Sequence, residues 1–209
     1  NLFAGLVMVA GFIGLIGSRI IGFFTSRRLG TPQPASPQWA LMAPLVLPML
    51  MAALMTLRLA LPLAALCGIA CGLLGLVQTV RWWAKGTAKE PLLWTLHIGY
   101  AATAIGLIIM GFGQWIPKLM SPGVHFIAVG GIGLLTVSMM TRTALGHTGR
   151  QLYPAPKLMP TAFCLMVGAL FFRTLAAIML MTVHPTAYLH SLRCSGVLFA
   201  ASLLLYAWR

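Results

Sequence analysis

Seven stretches of about 20 predominantly apolar residues follow one another along the chain, each long enough to cross the hydrocarbon core of a bilayer as a single helix. They cover roughly residues 1–24, 39–58, 60–82, 92–113, 124–144, 160–182 and 189–208. The segments between them carry the prolines that remove backbone donors or block helix continuation: Thr31 to Pro37, Pro62, Lys89-Glu90-Pro91, Pro117 to Pro122, Pro154 to Pro160 and His184-Pro185. Lipid offers no partner to an open backbone group, so such a chain must satisfy its amides inside helices. The expected fold is therefore all-α, a polytopic transmembrane bundle of about seven spanning helices. No connector is long enough to form a second domain, so residues 1–209 read as a single helical unit.

The charges agree with lipid as the solvent. Among 209 residues there is one carboxylate side chain, Glu90, against 14 Lys and Arg, for a formal net charge of +13. A water-soluble domain could not cover its surface this way, and the mean hydropathy is +0.95. The cations sit in short segments between apolar runs, which suits phospholipid headgroups and not nucleic acid. Arg27, Arg28, Arg81, Lys85, Lys89, Arg142, Arg150, Lys157 and Arg209 follow the odd-numbered helices, whereas Arg58, Lys118 and Arg193 lie at the other face. That imbalance places the first face, and the C-terminus, in the cytoplasm. Helix one then begins outside, and with no initiator Met at Asn1 the chain reads as the later part of a longer protein.

The near absence of acids also limits the chemistry. Intramembrane proton relays through Asp or Glu, carboxylate metal sites and paired-acid catalysis have no residues to run on. What remains is His, Cys, Met, Tyr and Arg, a set suited to soft or borderline metals and to haem. The five histidines fall at the helix ends: His125, His184 and His190 near the outer face, His97 and His147 near the inner one. This distribution implies two sites. His125 and His147 are 22 residues apart, about 33 Å along a regular helix and within about 40° in phase, so they would share a stripe but not a ligand. Thr136, Met139, Met140 and Thr143 lie on or near that stripe and would form a polar, sulfur-bearing seam. A packed bundle interior with capping histidines accounts for the same pattern, and spacing leaves both readings open.

Arg19, Arg142 and Arg173 lie within or at the ends of apolar helices, where a central charge costs at least ~2.5 kcal/mol on insertion scales. Carbonyls, lipid phosphate, a carboxylate from another segment or the propionates of a haem would each serve as partner, and snorkelling serves Arg19 and Arg142 equally well. Cys67 and Cys71, four apart on helix three, share a face; such cysteines are more often small apolar fillers than ligands.

Three segments resemble the motifs of the NnrS family, bacterial membrane proteins linked to nitric oxide stress and carrying haem and copper. The run from His125 to Arg150, ending Met140-Thr-Arg-Thr-Ala-Leu-Gly-His-Thr-Gly-Arg150, resembles the family signature; Trp94-Thr-Leu-His-Ile-Gly-Tyr100 is similar to its Leu-His-Leu-Gly-Tyr segment, and Gly17-Ser-Arg-Ile-Ile-Gly-Phe-Phe-Thr25 to its Gly-Gly-Arg-x-Ile-Pro-Phe-Phe-Thr segment. Ser18 and Gly22 depart from that last pattern. Family members have about twelve spanning helices of about 20 residues each, so the chain resembles their C-terminal seven, without the N-terminal helices and the His-Glu pair these carry.

The motif-matched positions are Arg19, His97, Tyr100, His125, Arg142, His147 and Arg150; Arg173, His184 and His190 rest on the residue argument alone. The resemblance implies a haem, expected to be b-type, with copper as a second candidate. It implies His97 or His125 as iron ligands, Arg19 and Arg142 near propionates, and the remaining histidines, His147, His184 and His190, for copper or a second haem. The function so implied is resistance to nitric oxide by binding or redox turnover, with an electron donor as partner. A copper or small-ligand transporter using the His and Met seam, and a haem-bearing electron-transfer or structural subunit, are the competing readings.

Overall fold

The computed structural model describes residues 2–156, 158–181 and 185–208. Eight α-helices run in order: α1 (Leu2–Leu29), α2 (Gln38–Leu57), α3 (Leu61–Trp82), α4 (Pro91–Phe112), the short α5 (Met120–His125), α6 (Leu134–His147), α7 (Leu158–Met181) and α8 (Pro185–Ala207). A π-helical stretch, Phe126–Gly133, joins α5 to α6. With it they form one membrane-length rod from Pro117 to His147, so seven apolar spans result among the described residues, and these fit a lipid bilayer.

Helix starts and stops follow the prolines. Pro62 and Pro91 occupy the first turns of α3 and α4, where no donor is missed. The sequence-based break at Pro117 to Pro122 is corrected: Pro122 falls in the first turn of α5, a position that tolerates it, and the rod continues through it. Helix one also extends past residue 24 to Leu29, carrying Arg27 and Arg28 on its last turn.

α4 is the central element, with α1, α3 and the π stretch packed around it. Apolar contact gives helices no drive to associate in lipid, so close approach must come from small residues. Gly106 of α4 meets Gly123, Gly130 meets Ala102, and Gly99 meets Leu135; a Cβ on Gly130 would lie 2.7 Å from that of Ala102. α7 and α8 pair as a peripheral hairpin, tied by Ser195 and Ser202, whose hydroxyls donate to the carbonyls of Ala169 (2.8 Å) and Ala162 (2.7 Å).

α2 carries two internal prolines, Pro44 and Pro48, and each leaves a carbonyl one turn earlier without its helical donor. Both carbonyls are satisfied from α3. Gln78 Nε2 donates to Ala40 O at 2.7 Å, and the thiol of Cys71 reaches Pro44 O at 3.9 Å. Cys67 and Cys71 thus belong to a buried apolar cluster with Val7, Met51 and Met110, in line with their reading as fillers.

Candidate functional site at the basic end of the bundle

The three motif segments converge. α1 brings Gly17 to Thr25, α4 brings Trp94 to Tyr100 and α6 brings Arg142 to the same end of the bundle, where Ile21, Trp82, Leu96 and Tyr100 pack as one buried cluster. The glycines of the α1 segment make room for two rings. A Cβ on Gly17 would come within 2.6 Å of the Tyr100 ring, and one on Gly22 within 3.0 Å of the Trp82 indole. Trp82 and Tyr100 stack at a tilt with centroids 5.4 Å apart. The Tyr100 hydroxyl donates to Gln78 Oε1 at 2.7 Å, so it extends the bridge that runs through Gln78 to Ala40.

His97, 1% exposed, sits one turn farther toward the basic end. Its Nδ1 lies 3.0 Å from the carbonyl of Leu93, one helical turn back. A carbonyl only accepts, so Nδ1 must carry the proton, and in the neutral ring Nε2 is left as a bare lone pair. Nε2 is buried and makes no hydrogen bond of good geometry, although the main chain of Trp82 lies close to the ring. Trp83 packs edge-on against the imidazole at 5.3 Å between centroids. Metal-bound histidines typically hold their other nitrogen on a carbonyl in this way.

The two arginines that the sequence groups together are separated. Arg19 is exposed and lines a cleft of ≈ 480 Å³ between α1 and the α1–α2 connector, with Gln33, Ser36 and Trp82. Arg142, 9% exposed, lies 4.3 Å above the Phe24 ring and donates from Nη2 to Leu92 O (2.9 Å) and Tyr153 Oη (3.1 Å). Its Nε is buried without a partner. It lines a second cleft, of ≈ 390 Å³, with Arg27, Arg28 and Tyr153. Glu90 is bound by Arg28 at 2.5 Å, leaving both Arg19 and Arg142 without an acid.

The other sequence candidates lie apart from this centre. His125 is half-buried at the opposite end of α4, its Nδ1 2.6 Å from Ser121 O, with Arg173 of α7 within electrostatic reach. His147, Arg150 and His190 are exposed, Arg150 lining a cleft between α6 and the end of α8. His184 lies outside the described residues, as do Lys157 and Arg209. Among the described residues no three His, Cys, Asp or Glu side chains gather as a metal site.

The seam expected between His125 and His147 is corrected. Thr136, Met140, Thr143 and His147 face outward, and Thr143 spends its hydroxyl on the carbonyls of Met139 and Met140. The physical reason is the π stretch, whose wider turns advance less per residue than a regular helix and break the phase relation between the two histidines. Gln78, Trp82, Trp83, Phe24 and Tyr153 were not singled out from sequence. Gln78 had a signal, a polar side chain deep in an apolar run; the others are aromatics of ordinary appearance.

The fold and this cluster define a polytopic membrane protein with an imidazole and guanidinium centre at one end, built from three helices. The model of the NnrS protein family matches residues 2–209, and the chain belongs to that family. No curated protein and no solved structure matches it.

Proposed function

We propose that the chain is a haem-binding membrane protein of the nitric oxide response, set in a bacterial inner membrane with its basic end and C-terminus in the cytoplasm. The observation that carries this reading is the Nε2 of His97: a buried imidazole, its Nδ1 held by Leu93 O, whose second nitrogen makes no hydrogen bond of good geometry. In donor chemistry the residues fit a haem. His97 would hold the iron, and Arg19, which lines the ≈ 480 Å³ cleft and has no acid nearby, would take a propionate as a bidentate fork. None of these clefts is lined by His97 or His125, so the described residues do not by themselves wall a macrocycle.

When bound, a haem supplies reduced iron able to take nitric oxide directly. The chain's own residues do the rest. Leu93 O fixes the His97 tautomer, Trp83 packs its ring, and Gly17 and Gly22 let Tyr100 and Trp82 close the wall between α1, α3 and α4.

Purification from membranes followed by oxidised and reduced optical spectra and iron analysis tests the proposal. A Soret band that disappears in His97→Ala, with membrane insertion intact, supports it. A protein without iron or Soret band, or full haem content in His97→Ala, overturns the assignment.

A further inference from the structure

Beside the Arg142 cleft lies a second space between the same two helices. α1 and α6 both pack on α4 and meet where Arg142 stacks on Phe24, and farther toward the middle of the bundle a groove lies between them. The groove, of ≈ 270 Å³, is lined by one face of α1 from Val9 to Ile21, by Leu96 at its floor, and by Leu135, Thr136 and Met139 of α6. From Val9 to Ile21 is 12 residue steps, or about 18 Å of helix, a little over half of the roughly 30 Å hydrocarbon thickness. One turn farther along α1, at Phe23 and Phe24, the lining changes to the ≈ 390 Å³ cleft of Arg27, Arg28, Arg142 and Tyr153. An apolar groove one leaflet deep thus lies next to a cluster of guanidiniums along the same two helices.

The cationic end is built, not a scatter of solvated side chains. Arg142 is buried to about nine-tenths, held by Leu92 O and the Tyr153 hydroxyl, and retains an unpartnered Nε. Arg28 stacks 4.0 Å over the Tyr153 ring and holds Glu90. Three arginines and one glutamate leave two positive charges uncompensated at this cleft. A planar guanidinium with a free N–H is suited to phosphate oxygens, and a basic pocket at a membrane rim favours anionic headgroups.

We propose that this groove binds one anionic phospholipid, its phosphate between Arg27, Arg28 and Arg142 and an acyl chain along the α1–α6 slot. Charge complementarity at one end and an apolar slot of leaflet length at the other select a lipid. A soluble phosphate ester would use only the first, and a zwitterionic lipid would leave the charge uncompensated. The site is separate from the His97 imidazole, so it stands or falls apart from the haem reading.

The test uses the protein purified in mild detergent from membranes containing both phosphatidylglycerol and phosphatidylethanolamine, with retained lipid counted by mass spectrometry. The expected result is retention of phosphatidylglycerol over phosphatidylethanolamine, reduced at least threefold in Arg142→Gln and, independently, in Thr136→Trp, which fills the slot without touching a charge. Added phosphatidylglycerol should raise the melting temperature of the delipidated protein, and glycerophosphate should not. His97→Ala should leave the lipid count unchanged. Equal retention of the two lipids, unchanged retention in both variants, stabilisation by glycerophosphate alone, or loss of haem with no change in lipid on Thr136→Trp would each overturn the proposal. So would a groove closed to lipid by another protein segment.

Discussion

Tyr100 lies in a family motif, yet its hydroxyl is committed to a structural bridge, and removing that hydroxyl should cost stability and not cofactor. The bridge has two bonds of 2.7 Å, Tyr100 Oη to Gln78 Oε1 and Gln78 Nε2 to Ala40 O, all in buried positions. Interhelical hydrogen bonds in membranes average ≈ 0.6 kcal/mol and reach ≈ 1.7, while an orphaned buried polar group costs ≈ 1–3. Tyr100→Phe, which bares Gln78 Oε1, should therefore destabilise by about 1 kcal/mol. Gln78→Leu should cost about 2 kcal/mol, because it also strands the Ala40 carbonyl, which Pro44 already deprives of its helical donor. The double variant should be no worse than Gln78→Leu, a coupling of about 1 kcal/mol. Reversible unfolding in mixed SDS and detergent micelles measures all three. Additive costs in the double variant would refute the bridge, and loss of haem in Tyr100→Phe with unchanged stability would return Tyr100 to the cofactor.

Gly14→Val should destabilise by about 2 kcal/mol or more, since a Cβ there would lie 2.6 Å from Pro44 O and 2.8 Å from Pro44 Cβ; Gly5→Val, with nothing within 4 Å, should stay within about 0.5 kcal/mol in the same assay. Glu90→Gln removes the partner of Arg28, but the pair is 38% and 17% exposed, so the loss should be under about 1 kcal/mol and shrink with added salt. Ala60→Gly should be neutral or stabilise by up to about 1 kcal/mol, because Ala60 holds φ 42° in the tight turn after α2, and a clear loss of stability would argue against that backbone.

The spans were legible because lipid imposes one rule, about 20 apolar residues per crossing, that every helix must obey whatever its neighbours. Phase was less legible. The wide turns of Phe126–Gly133 follow from Gly130 and Gly131 closing on Ala102 and Thr103, a packing fact with no signature in one strand of sequence. Spacing along α6 therefore placed the Met and Thr seam inside when it lies outside. His97 was legible as a buried imidazole in an apolar run, but not its bare Nε2, which depends on where the Leu93 carbonyl points. Nor does spacing show that Arg19 and Arg142 open onto different clefts, which depends on the helices that intervene between residues at the same end of a bundle.

His97 and His125 share a device, Nδ1 held by the carbonyl one turn back, and the geometry decides whether they also share a ligand. Gly123, two residues before His125, abuts Gly106 and Met110 of α4. His97 is nine residues before Gly106 on that helix, which places the two imidazoles about 14 Å apart in depth. Two axial nitrogens on one iron stand only about 2 Å from the metal each, so a single iron cannot take both. If each histidine holds a metal, the losses in His97→Ala and His125→Ala must be independent, with the remaining site's spectrum unchanged in either variant. A haem spectrum of two imidazole ligands abolished equally by either substitution would mean that the bundle brings these residues together, and the depth argument would be wrong.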